Sequence, residues 1–520
     1  MWRWGKGIFM RLTRVTRNAL LVGVFFALDK GVGFVRQVII ARQFGLSEAL
    51  DAFNVANNVP DLLFALISGG ALAMAFIPVL TESLTQRGER ATWQLFSYVA
   101  NLAFLVTGVL GVLVGIFTKP LVTWELGVAP GFGPEQQQLV VNLMRLNLIA
   151  TVIFSLSGLV MAALQAHQHF LLPAMAPLFY NLGQIFGAVV LAPEQGVHLG
   201  NITLPALGLG VYGLVYGVIL GAILHLGIQI PGLIRYGFQW QAGLGLHQPD
   251  VHRVLRLMGP RLLTVLCIQL IFIVRDNLAS RLATGAVTAL TYGWMIFQVP
   301  ETLIGTALGT ALLPALSEQI ARNQRESFHQ SIQRAVQVLI ALTIPLTIIL
   351  GLGMRPLLDV VFGFGVEGTD LLWRVSQGYL LGLLGQCLVE VMVRAFYARQ
   401  NAWIPLLGAG MTLGIYVLAG TQFYRWLGAP GISLADALSF SAEAILLTFL
   451  LVRSLKRGFQ VLPVLARAGL AAGISGGVIW LGQAGIQWGH SILMAGGLMG
   501  LGGLLSLPWI WREMRLLIRL

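Results

Sequence analysis

The chain predicts an all-α polytopic membrane protein of about 14 spans, built as two parallel six-helix repeats followed by a final helix pair. Three observations carry this prediction. Of 520 residues, 57% are hydrophobic and 10% charged, with a mean hydropathy of +0.80; soluble domains carry about 25% charged residues. Long apolar runs follow one another along the whole chain. Four short motifs recur in the same order at a nearly constant spacing. A soluble protein of this length needs a charged outer skin, which this chain lacks. That excludes a cytosolic enzyme, a disordered chain and a secreted disulfide scaffold.

A spanning helix needs roughly 20 apolar residues. The runs lie near 17–41, 51–81, 93–117, 138–163, 171–192, 205–231, 257–280, 286–316, 331–353, 370–397, 404–423, 431–452, 464–482 and 491–510. Before the first, Arg3, Lys6, Arg11, Arg14 and Arg17 stand without an acid. No small-residue cleavage site follows that run, so it reads as a retained helix with a cytoplasmic start. The loops then alternate. One set holds Arg87 and Arg90; Arg235, Arg253 and Arg256; Arg322 and Arg325; Arg394 and Arg399; Arg453, Lys456 and Arg457. The opposite set is poorer in bases and carries Glu125, Glu135, Glu194, Glu367 and Asp370. Basic loops stay in the cytoplasm, so both termini are expected there. The net charge of +12 is spread over these loops, which argues against nucleic acid as a partner. Cys267 and Cys387 lie in separate apolar runs and read as small core residues.

The repeat fixes the organisation. Val59-Pro60-Asp61 is echoed by Val299-Pro300-Glu301, and Pro78 to Glu82 by Pro314 to Glu318, 236 residues on. Lys119-Pro120-Leu121 is echoed by Arg355-Pro356-Leu357, again 236 residues on, and Ala166-His-Gln168 by Ala398-Arg-Gln400, 232 on. Such a unit holds six helices. An even number returns the chain to the same side, so the halves are parallel repeats. The expected divisions are 1–235, 236–457 and 458–520. Two six-helix lobes around a central cleft are the build of an alternating-access transporter, with the substrate site between the lobes.

Ionisable groups inside spans are costly and mark function by default. The first helix holds Asp29, Lys30 and Arg36. Lys30, Gly33 and Gln37 share one face, and Asp29, Gly33 and Arg36 the adjoining one. Gly33 lets a neighbour or a headgroup approach the backbone. Lys30, near mid-span, reads as cavity-facing; Arg36 reads the same way, with snorkelling as the alternative. Asp51 opens the second helix, either as a ligand-side acid or as a charge favouring the helix dipole. Asn54, Asn57, Asn58 and Asp61 follow it, beside Pro60. With Pro300 and Glu301 in the second half, these are hinge, cavity or simple helix-break positions. Arg275 and Asp276 lie deep in the seventh helix; as adjacent residues they point in different directions and are not expected to pair. Phosphate-binding loops and His/Cys spacings for metal are absent from the sequence. No enzymatic activity, cofactor or metal is expected.

Lys30-Gly-Val-Gly33-Phe-Val-Arg36, Ala41-Arg-Gln-Phe-Gly45, Asp51-Ala-Phe53, Val59-Pro60-Asp-Leu-Leu63 and Gly70 to Pro78 together resemble the MurJ (MviN) family of lipid II flippases. Gly305 to Ser317, Met258-Gly-Pro260 and Phe396-Tyr-Ala-Arg399 match in the second half. The family lies in the multidrug/oligosaccharidyl-lipid/polysaccharide exporter superfamily. The resemblance implies transport of lipid II, the undecaprenyl-pyrophosphate-linked peptidoglycan precursor, to the outer leaflet of the bacterial inner membrane. It implies a cationic cavity for the pyrophosphate and a groove on the last two helices for the lipid tail. It also implies possible partners among cell-wall synthesis proteins. Lys30, Arg36 and Asp51 match family positions; Phe64 and Met295 stand where the family carries arginines. Arg275 is expected to supply part of that missing charge. An ion gradient or the membrane potential is expected to reset the cycle. The alternatives are a flippase for another polyprenyl-linked saccharide and, ranked below it, a cation-coupled drug exporter. A scaffold that recruits cell-wall enzymes is a third.

Overall fold

The structure, a computed structural model, describes residues 14–67, 70–196, 198–199, 202–485 and 492–517. The N-terminal bases Arg3, Lys6 and Arg11 lie outside the described residues. Among the described residues there are 18 α-helices and one two-stranded hairpin.

In chain order, α1 is Arg14–Phe44 and α2 is Glu48–Ile67, with Pro60 inside it. α3, Gly70–Thr123, is broken at Gly88, where φ is 80°. That left-handed geometry favours glycine and falls in the charged stretch expected as a loop. α4 is Pro134–Ala166 and begins on a proline, whose missing N–H costs nothing at a helix start. α5, Leu171–Phe186, runs on into a π-helical turn at Gly187–Leu191. The strands β1 (His198–Leu199) and β2 (Ile202–Thr203) pair antiparallel, His198 opposite Thr203. α6 is Val211–Gly227 and α7 is Ile230–Arg235. Then come α8 (Pro249–Ala279), α9 (Ala286–Glu301, followed by a π-helical turn at Thr302–Thr306), α10 (Ala307–Ala321) and α11 (Arg325–Gly353). α12 (Arg355–Phe362), α13 (Gly365–Leu381), α14 (Leu383–Ala398), α15 (Trp403–Leu427), α16 (Ala429–Leu455), α17 (Leu462–Gly485) and α18 (Ile492–Leu517) complete the chain.

Among the described residues, 11 helices are long and apolar enough to cross a membrane, or 12 if α13 and α14, bent by 42°, form one span. This is fewer than the expected 14. α1 and α2 are not among them, and their interiors hold Asp29, Lys30, Arg36, Asp51 and Asp61. The chain is a multi-pass membrane protein.

It packs as two compact units. One comprises residues up to Phe44 with Ala52–Gln269, the other Gly45–Asp51 with Leu270–Leu520. The division expected at 235 and this one differ. Residues 236–269 stay with the first unit because Phe238, Val251, Val254 and Met258 join a core with Trp93, Phe96 and Phe76. Trp93 stacks on His167 at 4.8 Å, and its Nε1 donates to the Tyr236 carbonyl at 3.0 Å. Arg253 meets Glu82 at 2.7 Å, and Arg87 meets Asp250.

Within the first unit, α5 packs on α1 and α6, and α4 on α3 and α6. The α5–α6 contact is backbone to backbone: a Cβ on Gly187 would sit 2.6 Å from Gly217 Cα. Lipid tails are as apolar as leucine, so spans gain by close approach at small residues. In the second unit α16 packs on α13, α14 and α15, while α17 and α18 pack on each other and on α11. The final helix pair therefore belongs to the second unit rather than standing apart. Both cysteines are free, and Cys387 is buried.

Candidate functional site

The first helix delivers its charges to one neighbour. Asn181, on α5 and 6% exposed, sits between them. Its Nδ2 donates to Asp29 Oδ1 at 2.7 Å, and its Oδ1 accepts from Arg36 Nη1 at 2.8 Å. Residues 29, 33 and 36 share a helical face, and Gly33 supplies the room: a Cβ there would already stand 3.4 Å from Asn181 Nδ2. The close approach expected at Gly33 is thus made by a side chain of α5. The amide uses one donor and one acceptor to hold an acid and a base at once, a match its chemistry allows. Tyr180, next along α5, lies in the electrostatic field of both Arg36 and Asp61. Asp61 itself is exposed.

Lys30 behaves differently. It is exposed, and its Nζ lies 5.3 Å from the centre of the Phe26 ring. Among the described residues it has no ion-pair or hydrogen-bond partner. An exposed ammonium without an ion-pair partner is available to an anion. α1 therefore carries an exposed cation, Lys30, and a positioned one, Arg36.

Asn57 is a tie between helices. Its Oδ1 accepts from Asn147 Nδ2 of α4 at 2.7 Å, and its Nδ2 donates to the Phe53 carbonyl at 2.9 Å. Pro60 is buried in α2. Phe64 packs on Phe154 with ring centres 5.5 Å apart, so an aromatic contact fills the place where the resemblance led one to look for an arginine.

In the second unit, Asp51 is 1% exposed and fully engaged. Oδ2 accepts from the Gly285 N–H at 2.6 Å; Oδ1 accepts from the Thr288 N–H at 2.8 Å and from Thr288 Oγ1 at 2.6 Å. Gly285 begins α9 with φ 89° and has no side chain to cap it. Asp51 caps that helix from a distance, taking up donors that a helix start leaves unpaired. The start of its own helix is served by Ser47, whose Oγ accepts from the Leu50 N–H at 3.3 Å. The dipole role expected of Asp51 is thus played at α9. Its oxygens are occupied, which corrects the reading of Asp51 as a ligand-side acid.

Arg275 and Asp276 do pair: Nε donates to Oδ1 at 2.8 Å, with side chains 8% and 0% exposed. This corrects the expectation that adjacent helical residues stay apart. The long arginine stem curls back to reach a neighbour that Cβ directions alone would separate. The guanidinium also lies over Phe272 at 5.1 Å and reaches Thr291 Oγ1 at 3.4 Å. Asp436 of α16 acts on it electrostatically. The cation is internal to this unit and neutralised there, so it is not a free substitute for the missing arginines. Met295 is half-buried on α9.

Pro300 is buried where α9 gives way to the π-helical turn. Glu301, 7% exposed, accepts from Thr306 Oγ1 at 3.0 Å and Thr302 Oγ1 at 3.3 Å. Arg394 pairs with Glu390 four residues before it. Irregular helical turns of this kind frequently sit at functional positions. Among the described residues no cluster of His, Cys, Asp and Glu could hold a metal ion.

Sequence reasoning missed Asn181. A single asparagine in an apolar run gives no periodic signal; only its place opposite Gly33 gives it a role.

A family profile described as "Lipid II flippase MurJ" matches residues 40–498. A Burkholderia cenocepacia protein described as "Lipid II flippase MurJ" is 32% identical over 451 residues, 85% of this chain and 84% of its own. A Vibrio cholerae protein described as "Probable lipid II flippase MurJ" is 27% identical over 520 residues, 94% of each chain. Among solved structures, a lipid II flippase MurJ in an inward closed conformation superposes with a TM-score of 0.77 at 20% identity, covering 95% of this chain and 99% of the other. An inward-facing multidrug resistance MATE family transporter of the MOP superfamily gives 0.67 at 14% identity, covering 84% and 99%. These two establish the fold alone, and the profile and the relatives establish the rest: the chain belongs to the MurJ family of lipid II flippases.

Proposed function

We propose that this protein moves lipid II from the cytoplasmic to the outer leaflet of the bacterial inner membrane by alternating access, with both termini cytoplasmic and without bond chemistry of its own. The observation that carries the reading at the level of residues is the α1–α5 arrangement in a chain of this family. Lys30 is exposed and unpaired, and Arg36 is held by Asn181. A lipid pyrophosphate is a concentrated anion. Charge-assisted contacts to it are strong where water is scarce.

In this reading Lys30 makes the first contact and Arg36 the positioned one. Asn181 keeps the guanidinium aimed while Asp29 occupies its other end. Pro60 in α2 and the Pro300 break after α9 are the bending points. A cation carried with the cycle would feel about 2.3 kcal/mol per charge per 100 mV, so the membrane potential or an ion gradient can reset it. No cofactor enters the cycle. The last two helices take the polyprenyl tail, and cell-wall synthesis proteins are the partners that would use the product.

One observation favours a second reading. Phe64 is packed on Phe154 and Met295 is apolar, so fewer cations are available than the resemblance implies. A flippase for another polyprenyl-linked saccharide with a smaller anionic head would suit that.

Reconstitution into vesicles with labelled lipid II, followed by leaflet accessibility, tests the proposal. Protein-dependent exposure of the label, lost in Lys30→Glu, is the expected result. Exposure of a different polyprenyl-linked sugar, with none for lipid II, moves the assignment to the second reading. No movement of either lipid, with function surviving loss of both Lys30 and Arg36, favours the scaffold.

A further inference from the structure

At the end of the second unit where α11 and α17 begin and α18 finishes, there is a cavity of about 700 Å³. Arg334, Arg457, Arg467 and Arg512 line it, together with Glu326 and Glu513. Arg457 pairs with Glu326, and Arg467 with Glu513. Arg334 and Arg512 have no ion-pair or hydrogen-bond partner among the described residues. Four arginines against two glutamates leave the lining at +2 with His329 neutral.

The paired groups are themselves incompletely satisfied. Arg467 Nε and Glu513 Oε2 are buried and make no hydrogen bond, and Glu513 is 2% exposed. A buried donor and a buried acceptor left open are costly. The two arginines without a partner, Arg334 and Arg512, suit an occupant that brings an anionic group.

The level of the cavity says which source supplies such a group. Trp509 and Trp511 are 43% and 48% exposed on α18, and Arg515 lies over Trp511 at 5.5 Å. Exposed tryptophans beside arginines mark the headgroup layer of a bilayer. Leu462, Leu504 and Leu505 are exposed on α17 and α18, offering apolar surface of the kind acyl chains cover.

We propose that this cavity binds the headgroup of an anionic glycerophospholipid. Arg334 and Arg512 take the phosphate. Because α11 packs on both α17 and α18, the bound lipid clamps the final helix pair to the rest of its unit. Free phosphate shares the anionic chemistry and is the competing source. The inference uses no residue of α1 or α5, the helices given to the pyrophosphate of the transported lipid.

Native mass spectrometry of the full chain in detergent tests it, with phosphatidylglycerol and phosphatidylcholine titrated separately and inorganic phosphate as competitor. The expected result is a phosphatidylglycerol adduct that outlasts the phosphatidylcholine adduct and resists millimolar phosphate. The double substitution Arg334→Gln, Arg512→Gln weakens it roughly tenfold, as loss of charge-assisted bonds implies. Equal retention of the two lipids overturns the proposal, as does undiminished binding in the double variant. Full displacement by inorganic phosphate overturns the lipid assignment and leaves a free-anion site. Should the double variant fail to fold, Arg512→Gln alone, on an exposed side chain, reads the same loss.

Discussion

Asp51 holds Gly285: the carboxylate accepts the glycine N–H at 2.6 Å and so starts a helix 234 residues further along the chain. The bond is buried, and Thr288 completes it with two more donors. An acid beside a short turn has become the cap of a helix that cannot cap itself.

Replacing Asp51 with alanine leaves these donors open in a buried place. A lost cap costs about 0.5–2 kcal/mol, and each unsatisfied buried donor about 1–3 kcal/mol. Asp51→Ala should therefore lower the melting temperature of the purified protein clearly, with Asp51→Asn in between. Equal melting of Asp51→Ala and the parent would show that the cap carries no stability.

Asn181 should matter for transport more than for folding. Asn181→Leu keeps the volume but frees Arg36 and Asp29 from their common partner. Hydrogen bonds to charged groups are worth about 1.5–3 kcal/mol, and about 1.4 kcal/mol is a factor of ten. Lipid II exposure in vesicles should fall on the order of tenfold at matched protein level. A variant with the parent's rate would remove Asn181 from the binding arrangement.

Lys30 should tolerate arginine and reject glutamate. The exposed ammonium supplies charge without a fixed partner, so Lys30→Arg keeps the attraction and adds a fork suited to phosphate. Complementation of a flippase-depleted strain should survive Lys30→Arg and fail with Lys30→Glu. Survival of both would place the anion elsewhere.

Arg275 and Asp276 should fail singly and be rescued together. Breaking a buried pair from one side costs about 3–5 kcal/mol, whereas replacing both partners by apolar groups is often nearly neutral. Arg275→Met and Asp276→Leu should each reduce folded protein in membranes, and the double variant should recover much of it. If Arg275→Met folds normally and only lipid II binding drops, the guanidinium serves the substrate directly.

Gly187 and Gly217 extend the same logic to the α5–α6 contact. Gly187→Leu has no space for its side chain, because a Cβ alone would meet Gly217 Cα at 2.6 Å. Overpacking costs about 1–3 kcal/mol or more; a variant melting like the parent would mean that α5 and α6 separate without loss.

The Phe64 and Met295 positions show how far the sequence reading reached. It located both as places where charge is missing, through the family resemblance. That Phe64 packs on Phe154 depends on α4, since the two are far apart in the chain, and no local pattern carries it. Asn57 was legible as a polar residue in an apolar helix; its partner Asn147 was not. α1 and α2 fall outside the 11 or 12 apolar spans among the described residues because they carry Asp29, Lys30, Arg36, Asp51 and Asp61, and the division at 235 missed that Phe238 and Val251 are drawn into the first unit's core.

By itself the sequence determined that this is a helical membrane protein with most of its charges between apolar runs, because apolar length and composition are local properties that solvent and lipid act on directly. Only the tertiary structure decided which charges are spent and which are left over. Asp51 and Arg275 are consumed in buried partnerships, Arg36 is aimed by Asn181, and Lys30 stays open. The reason is that a charge in a poor solvent takes its meaning from the group nearest in space, and the fold alone chooses that group.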